Sequence, residues 1–147
     1  MKEKILITGG AGYLGSILCF DLLNLNYKVT VIDNFLYKQA SLNHLVANDN
    51  FNVIKGDVRD KNLMKKLVSQ ADIIIPLAAL VGAPICQIDP VGAETINKQS
   101  VFDLISYKDV DQKIIMPTTN SAYGSGDKDN YCDEKSPLKP ISKYAKD

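Results

Sequence analysis

A chain of 147 residues is close to the size of one domain and short for two. Its 46% hydrophobic and 23% charged residues fit a real core under a solvated surface, which excludes a disordered class. Seventeen basic residues balance seventeen acidic ones, so the cationic excess of a nucleic-acid partner is missing, and no apolar run is long enough to span a bilayer.

Ile5-Leu6-Ile7 reads as a first strand; its apolar run stops at Thr8 and turns into glycines, so it is not a secretion signal. Leu14, Ile17, Leu18, Leu22 and Leu25 then recur at helical spacing and predict one buried stripe, with Cys19 as a small buried hydrophobe. Val29–Ile32 is a second strand and Ser41–Ala47 a short helical crossover. That crossover carries the single histidine, His44, expected to be a surface or packing residue. Phe51–Ile54 is a third strand, followed by a helix over Lys61–Ser69 with Leu63, Met64, Leu67 and Val68 inward. Ile73-Ile74-Ile75 is a fourth strand. One long helix is expected over Val91–Tyr107, with Ile96, Val101, Leu104 and Ile105 buried, then a fifth strand at Ile114-Ile115-Met116. Ser125–Lys139 reads as an exposed loop, and a last helix begins near Ser142.

Strands that are short, β-branched and continuously apolar are buried on both faces, and their alternation with helices predicts a parallel sheet with right-handed crossovers. The expected fold is therefore α/β, a Rossmann-type doubly wound sheet of order 3-2-1-4-5. Cys19, Cys86 and Cys132 are odd in number and lack C-x-x-C spacing, which argues against a disulfide framework or a zinc site and for a reducing, cytoplasmic setting. No cluster of His, Cys and carboxylates has metal-ligand spacing.

Gly9, Gly10, Gly12 and Gly15 follow a strand and open a helix, where a dinucleotide site needs them. Glycines let the chain turn sharply and approach a pyrophosphate, and the helix N-terminus offers free N–H groups and partial positive charge. Asp33, at the end of the second strand and 18 residues after Gly15, is placed to accept hydrogen bonds from the adenosine ribose. A carboxylate there repels a 2′-phosphate, which favours NAD over NADP.

The chain resembles the extended short-chain dehydrogenase/reductase family, particularly its nucleotide-sugar epimerases and dehydratases. Thr8–Gly15 is similar to the family's G-x-x-G-x-x-G loop, read from Gly9, Gly12 and Gly15, with Tyr13 and Leu14 inside it. Asp33-Asn34 resembles its ribose-binding pair, and Lys55–Asp60 its G-D-x-R-D segment, where Asp57 would reach the adenine amino group and Val58 would line the adenine pocket. Leu77-Ala78-Ala79 matches the H-x-A-A strand end that flanks the cofactor, and Asn97 falls where the family carries an asparagine on its long helix.

Thr118–Gly124 resembles the segment that ends in Y-G and carries a catalytic Ser or Thr four residues before that tyrosine. This registers Thr119 as the catalytic hydroxyl, Thr118 as its cofactor-side neighbour and Tyr123 as structural or substrate-lining. Glu134, Pro137, Pro140, Ser142 and Tyr144 lead into the family's Y-x-x-x-K motif, which makes Tyr144 the general acid/base. Residues four apart share a helix face, and a lysine beside a phenol favours phenolate.

The sequence departs from the pattern in three places. It stops at Asp147, one residue before the motif's lysine, and these 147 residues are expected to leave out the family's C-terminal substrate domain. Residues 1–147 are therefore expected to be an incomplete NAD-binding domain, inactive alone. Pro76 stands at the histidine of H-x-A-A and Pro117 just before the threonines, so both strand ends are expected to differ locally. The resemblance implies NAD as cofactor, a nucleotide-sugar substrate and a homodimer through Val91–Tyr107 in the full-length enzyme. A dehydrogenase or reductase of the same family is the alternative activity, and a non-catalytic dinucleotide sensor the alternative class.

Overall fold

The computed structural model describes residues 2–125 and 131–147. Five strands, β1 (Lys4–Thr8), β2 (Lys28–Asp33), β3 (Phe51–Lys55), β4 (Ile73–Pro76) and β5 (Lys113–Ile114), pair in parallel in the order β3-β2-β1-β4-β5. This is the expected order. β1 lies in the middle, with Ile7 beside Val31 on one flank and Ile75 on the other.

The continuous apolar runs conceal a strict alternation. Ile5, Ile7, Val29, Val31, Ile73 and Ile75 pack on one face with Cys19 and Leu23 of helix α1 (Tyr13–Asn24) and with Leu42 and Leu45 of the β2–β3 crossover. Leu6, Ile32 and Ile74 pack on the other face with Met64, Leu67 and Val68 of α2 (Lys61–Val68) and with Leu104. Each fully buried aliphatic side chain contributes roughly 1.5–3 kcal/mol, so the two half-cores clamp the sheet from both sides. Asp60 caps α2, its Oδ1 accepting from the Asn62 and Leu63 N–H groups at 3.1 Å.

The buried face of α1 differs from the expected stripe. Gly15, Cys19 and Leu23 face the sheet, while Leu14, Ile17 and Leu25 are about half exposed. The cause is close approach. A Cβ on Gly15 would lie 2.6 Å from Gly10 Cα, and one on Gly10 would lie 2.6 Å from Val31 Cγ1. The first turns of the helix therefore settle on Gly15 and Cys19, and Leu14 and Ile17 are turned aside. Burial pushes the Cys19 thiol up to about 12, which makes it the inert hydrophobe expected.

The long helix is also more complex than its pattern. A first helix, α3 (Ala83–Ile88), was not legible in the sequence; it starts after Gly82, whose φ is 101°, with Pro84 in its first turn. The segment expected as one helix is α4 (Pro90–Ala93), a wider π-helical turn over Glu94–Gln99 and α5 (Ser100–Tyr107). Leu104 is buried as expected, but Ile105 is 49% exposed. The crossover at Ser41–Ala47 contains a 3₁₀ turn over Asn43–Leu45, and His44 is exposed beside Phe20.

β5 ends at Ile114, two residues short of the expected strand, and the two prolines explain it. Ile115 N–H donates to Ile74 C=O at 3.0 Å. Continuing that parallel ladder needs an N–H first from residue 76 and then from residue 117, and both are proline. Residues 131–139 form no helix or strand, while residues 126–130 of the expected loop lie outside the described residues. Ser142 caps the last helix, α6 (Lys143–Lys146), through the Ala145 N–H.

Gly15→Ala is expected to lower the unfolding free energy by about 2–3 kcal/mol, because its methyl meets backbone that cannot move aside. A urea midpoint equal to wild type would refute this packing account.

Candidate active site

The C-terminal ends of the strands open into one cleft of about 1120 Å³, above the roughly 300–1,000 Å³ of drug-sized ligand pockets. It lies where the order reverses between β1 and β4, the switch point at which open α/β sheets bind ligands.

The floor is the glycine turn. Gly9 has a φ of 69° and passes so close to β4 that a Cβ would lie 2.7 Å from the Ala78 backbone. Gly12 is the exception among these glycines. A Cβ there would meet only the Gly9 carbonyl oxygen, at 3.2 Å, so packing alone does not demand glycine. Gly12 is also the N-cap of α1, with no side-chain cap and no acidic residue in the first turn. Among the described residues, the N–H groups of Tyr13, Leu14 and Gly15 have no acceptor. They face the cleft as open donors at the positive end of the helix dipole, a cradle suited to an anion.

Asp33 is 8% exposed and grips the turn directly. Its Oδ2 accepts from Ala11 N–H at 3.0 Å and its Oδ1 from Phe35 N–H at 2.7 Å. Ser41 Oγ donates to the Ala11 carbonyl at 2.6 Å, so the peptide groups on both sides of Ala11 are held. Asn34 bends the chain next, its Oδ1 accepting from Leu36 N–H at 2.9 Å. Asp57, after β3, holds Arg59 through Nε at 2.8 Å and Nη2 at 2.6 Å, and also accepts from the Arg59 N–H. The hydrogen-bonded guanidinium keeps the Asp57 carboxyl below its ordinary 3.8. Val58 borders the cleft beside it.

The β4 end supplies Leu77, Ala78 and Ala79, with Ala78 N–H donating to Thr8 Oγ1 at 3.2 Å. Asn97, on the π-helical turn, is 9% exposed. Its Oδ1 accepts from Leu80 N–H at 2.8 Å, and its Nδ2 donates to Leu80 C=O at 3.0 Å and toward Cys86 Sγ. The carboxamide of Asn97 thus holds the loop after β4. Burial pushes the Cys86 thiol up.

Thr118 and Thr119 form the opposite wall. Thr119 caps a 3₁₀ turn over Asn120–Tyr123, its Oγ1 accepting from Ser121 N–H at 3.2 Å. Tyr144, on α6, packs against the small cluster of Leu80, Cys86 and Ala93 and also reaches the cleft. Its neighbour Lys143 is raised by ion pairs with Asp147 at 2.8 Å and Glu94 at 2.9 Å. α6 is thereby tied to the π-helical turn. Tyr123 is half-buried and does not line the cleft.

The two candidate catalytic residues and the candidate cofactor-binding residues therefore border one cleft, whereas Gly10 and Tyr123 do not. Sequence reasoning missed Leu36, Tyr37, Gln39, Leu80, Val81 and Met116, which also line it. Their side chains belong to loops, and no spacing rule marks them. Among the described residues, no His, Cys, Asp or Glu side chains group as a metal site, and no helix is long and apolar enough to cross a membrane.

This arrangement is shared. A model of the NAD dependent epimerase/dehydratase family matches residues 5–147. The chain belongs to that family. A UDP-N-acetyl-alpha-D-glucosaminuronate decarboxylase from Bacillus cytotoxicus is 34% identical over 86% of this chain and 39% of its own length. The UDP-glucuronic acid 4-epimerase from Bacillus cereus, solved with UDP-glucuronic acid and NAD, is 30% identical with a TM-score of 0.85, over 97% of this chain and 48% of that one. The UDP-Glc/GlcNAc 4-epimerase from Campylobacter jejuni is 29% identical with a TM-score of 0.87, over 98% of this chain and 45% of that one. The chain thus spans less than half the length of each of these relatives.

The Asp57–Arg59 pair makes a pH prediction. Carboxyl ¹³C shifts should show Asp57 titrating below 3.8 in the wild type and returning toward it in Arg59→Ala. Because the folded value lies below the unfolded one, the pair's contribution to stability is present above about pH 4 and fades as pH falls through the folded value. Both partners are partly exposed, so the effect on stability is small.

Proposed function

We propose that residues 1–147 form the NAD-holding domain of a nucleotide-sugar epimerase or dehydratase, with the substrate domain lying in the part of the relatives that this chain does not span. The observation that carries the reading is the convergence of Thr119 and Tyr144 on the cleft floored by the glycine turn. The fit to NAD rests on the open Tyr13, Leu14 and Gly15 N–H groups, which suit a pyrophosphate, and on Asp33, an acceptor for the adenosine ribose. Gly9, Gly12, Asn34, Asp57, Val58, Leu77, Ala78, Ala79 and Thr118 complete the lining. Asn97 acts through Leu80, as a positioning residue.

NAD, when bound, supplies a reversible hydride acceptor for a sugar carbon. Tyr144 takes the proton of the sugar hydroxyl at that carbon, and returns it when the carbonyl is reduced again. Thr119 holds the same oxygen. Its Oγ1 already accepts from Ser121 N–H, which leaves its hydroxyl hydrogen to donate. Capping of the 3₁₀ turn fixes Thr119, and the packed cluster with the Lys143–Glu94 pair fixes α6, so both groups meet the substrate pre-aligned. The same reading carries a homodimer through residues 91–107, where Val91, Phe102 and Ile105 expose apolar surface.

Gly12→Ala is expected to weaken NAD binding at least tenfold in calorimetry while costing less than about 1 kcal/mol of stability, since its methyl enters the cleft and not the core. Equal NAD affinity would remove the pyrophosphate from this turn. The activity test incubates the full-length protein with UDP- and dTDP-sugars and NAD. Turnover without net consumption of NAD is expected, with Tyr144→Phe lowering kcat about 10²-fold or more and the 147-residue chain alone inactive. Stoichiometric consumption would make it a dehydrogenase; binding without turnover would make it a sensor.

A further inference from the structure

Resting on the reading of Tyr144 as the acid/base, we propose that Glu94 is a positioning residue for it, acting through Lys143 to hang the catalytic helix on the π-helical turn.

α6 is a single turn, and a first turn of helix fixes several residues for few hydrogen bonds. Its order therefore depends on what holds it from outside. Among the described residues, one hydrogen bond joins α6 to another element, from Lys143 Nζ to Glu94 Oε2 at 2.9 Å. Lys143 directly precedes Tyr144, so this bond restrains the backbone that carries the phenol. Apolar packing adds to it, with Tyr144 against Leu80, Cys86 and Ala93 in the cluster that also holds Ile96 of the π-helical turn.

Glu94 divides its carboxylate between two cations. Oε1 pairs with Lys98, four residues on, at 3.1 Å, which leaves Oε2 for Lys143. Hydrogen bonds from Lys143 and Lys98 hold the Glu94 carboxyl below its ordinary 4.5, so it stays ionised. The same six-residue turn carries Asn97, whose carboxamide holds both polar groups of Leu80. A π turn takes in more residues than an α turn, so residues three apart are spread further round its axis. Glu94 reaches α6 while Asn97 reaches the loop after β4. One turn thereby carries both the helix of Tyr144 and a loop that borders the cleft.

The side chains of Lys143 and Glu94 are 31% and 48% exposed, and a pair so open to water adds little to global stability. Its effect is on placement, which separates a positioning role from a structural brace.

The test uses the full-length protein with UDP- and dTDP-sugars and NAD, comparing wild type, Glu94→Gln, Lys143→Met and the double variant. Glu94→Gln is expected to lower kcat about fivefold, near the most that an exposed pair sustains, with KM, NAD affinity and unfolding midpoint unchanged. Lys143→Met should lose at least as much, and adding Glu94→Gln to it should change nothing further, because both remove one interaction. Amide exchange reads the same tie without substrate. In Glu94→Gln the Lys146 N–H, bonded to the Ser142 carbonyl, should exchange about fivefold faster, while the Leu80 N–H stays as in wild type. A kcat within twofold of wild type, an equal loss in the Lys143→Met background, or a lowered unfolding midpoint overturns the assignment. A full-length wild type that turns over none of these sugars overturns the acid/base reading of Tyr144, and the proposal falls with it; that failure is distinct and shows before any variant is made.

Discussion

The architecture depends on one steric constraint, the near-contact of bare backbone around the glycine turn. Gly9 against Ala78, Gly10 against Val31 and Gly15 against Gly10 leave no room for a side-chain carbon. This closeness brings β1, β4 and the first turn of α1 together at one point. It also aims the unpaired N–H groups of α1 into the space beyond the strand ends. The cleft follows from how closely these elements pack.

Around that contact, polar side chains mostly serve the backbone. Asp33 and Ser41 hold the two sides of Ala11, Thr8 receives Ala78, Asn97 binds both polar groups of Leu80, and Thr119 caps the turn that carries it. Loops over a binding cleft have lost the ladder bonds of the sheet, and such local bonds replace them. Preorganisation of this kind lets a site present donors and acceptors without rearranging when a ligand arrives. Asp33 combines both tasks: each of its oxygens takes one backbone N–H, and the residue also borders the cleft.

The two prolines show how a small sequence change acts on the sheet. Pro76 still sits in register with Thr8, because β1 and β4 pair through the Thr8 carbonyl and the Leu77 N–H. On its other flank the missing donors of Pro76 and Pro117 end the β4–β5 ladder early. Met116 and Pro117, beyond the end of β5, then join the cleft wall ahead of Thr118.

The sequence by itself determined the sheet order, the glycine turn and the acid at the end of β2, Asp33. Those signals are local or periodic: β-branched runs, glycines at fixed offsets, an acid at a strand end. Tertiary structure decided which face of α1 is buried, since backbone approach at Gly15 outweighed the helical stripe of leucines. It also decided that the Asn97 carboxamide turns to Leu80, that the long helix widens into a π turn, and that Gln39 lines the site. These outcomes depend on contacts between segments far apart in the chain, and spacing along one segment carries no record of them.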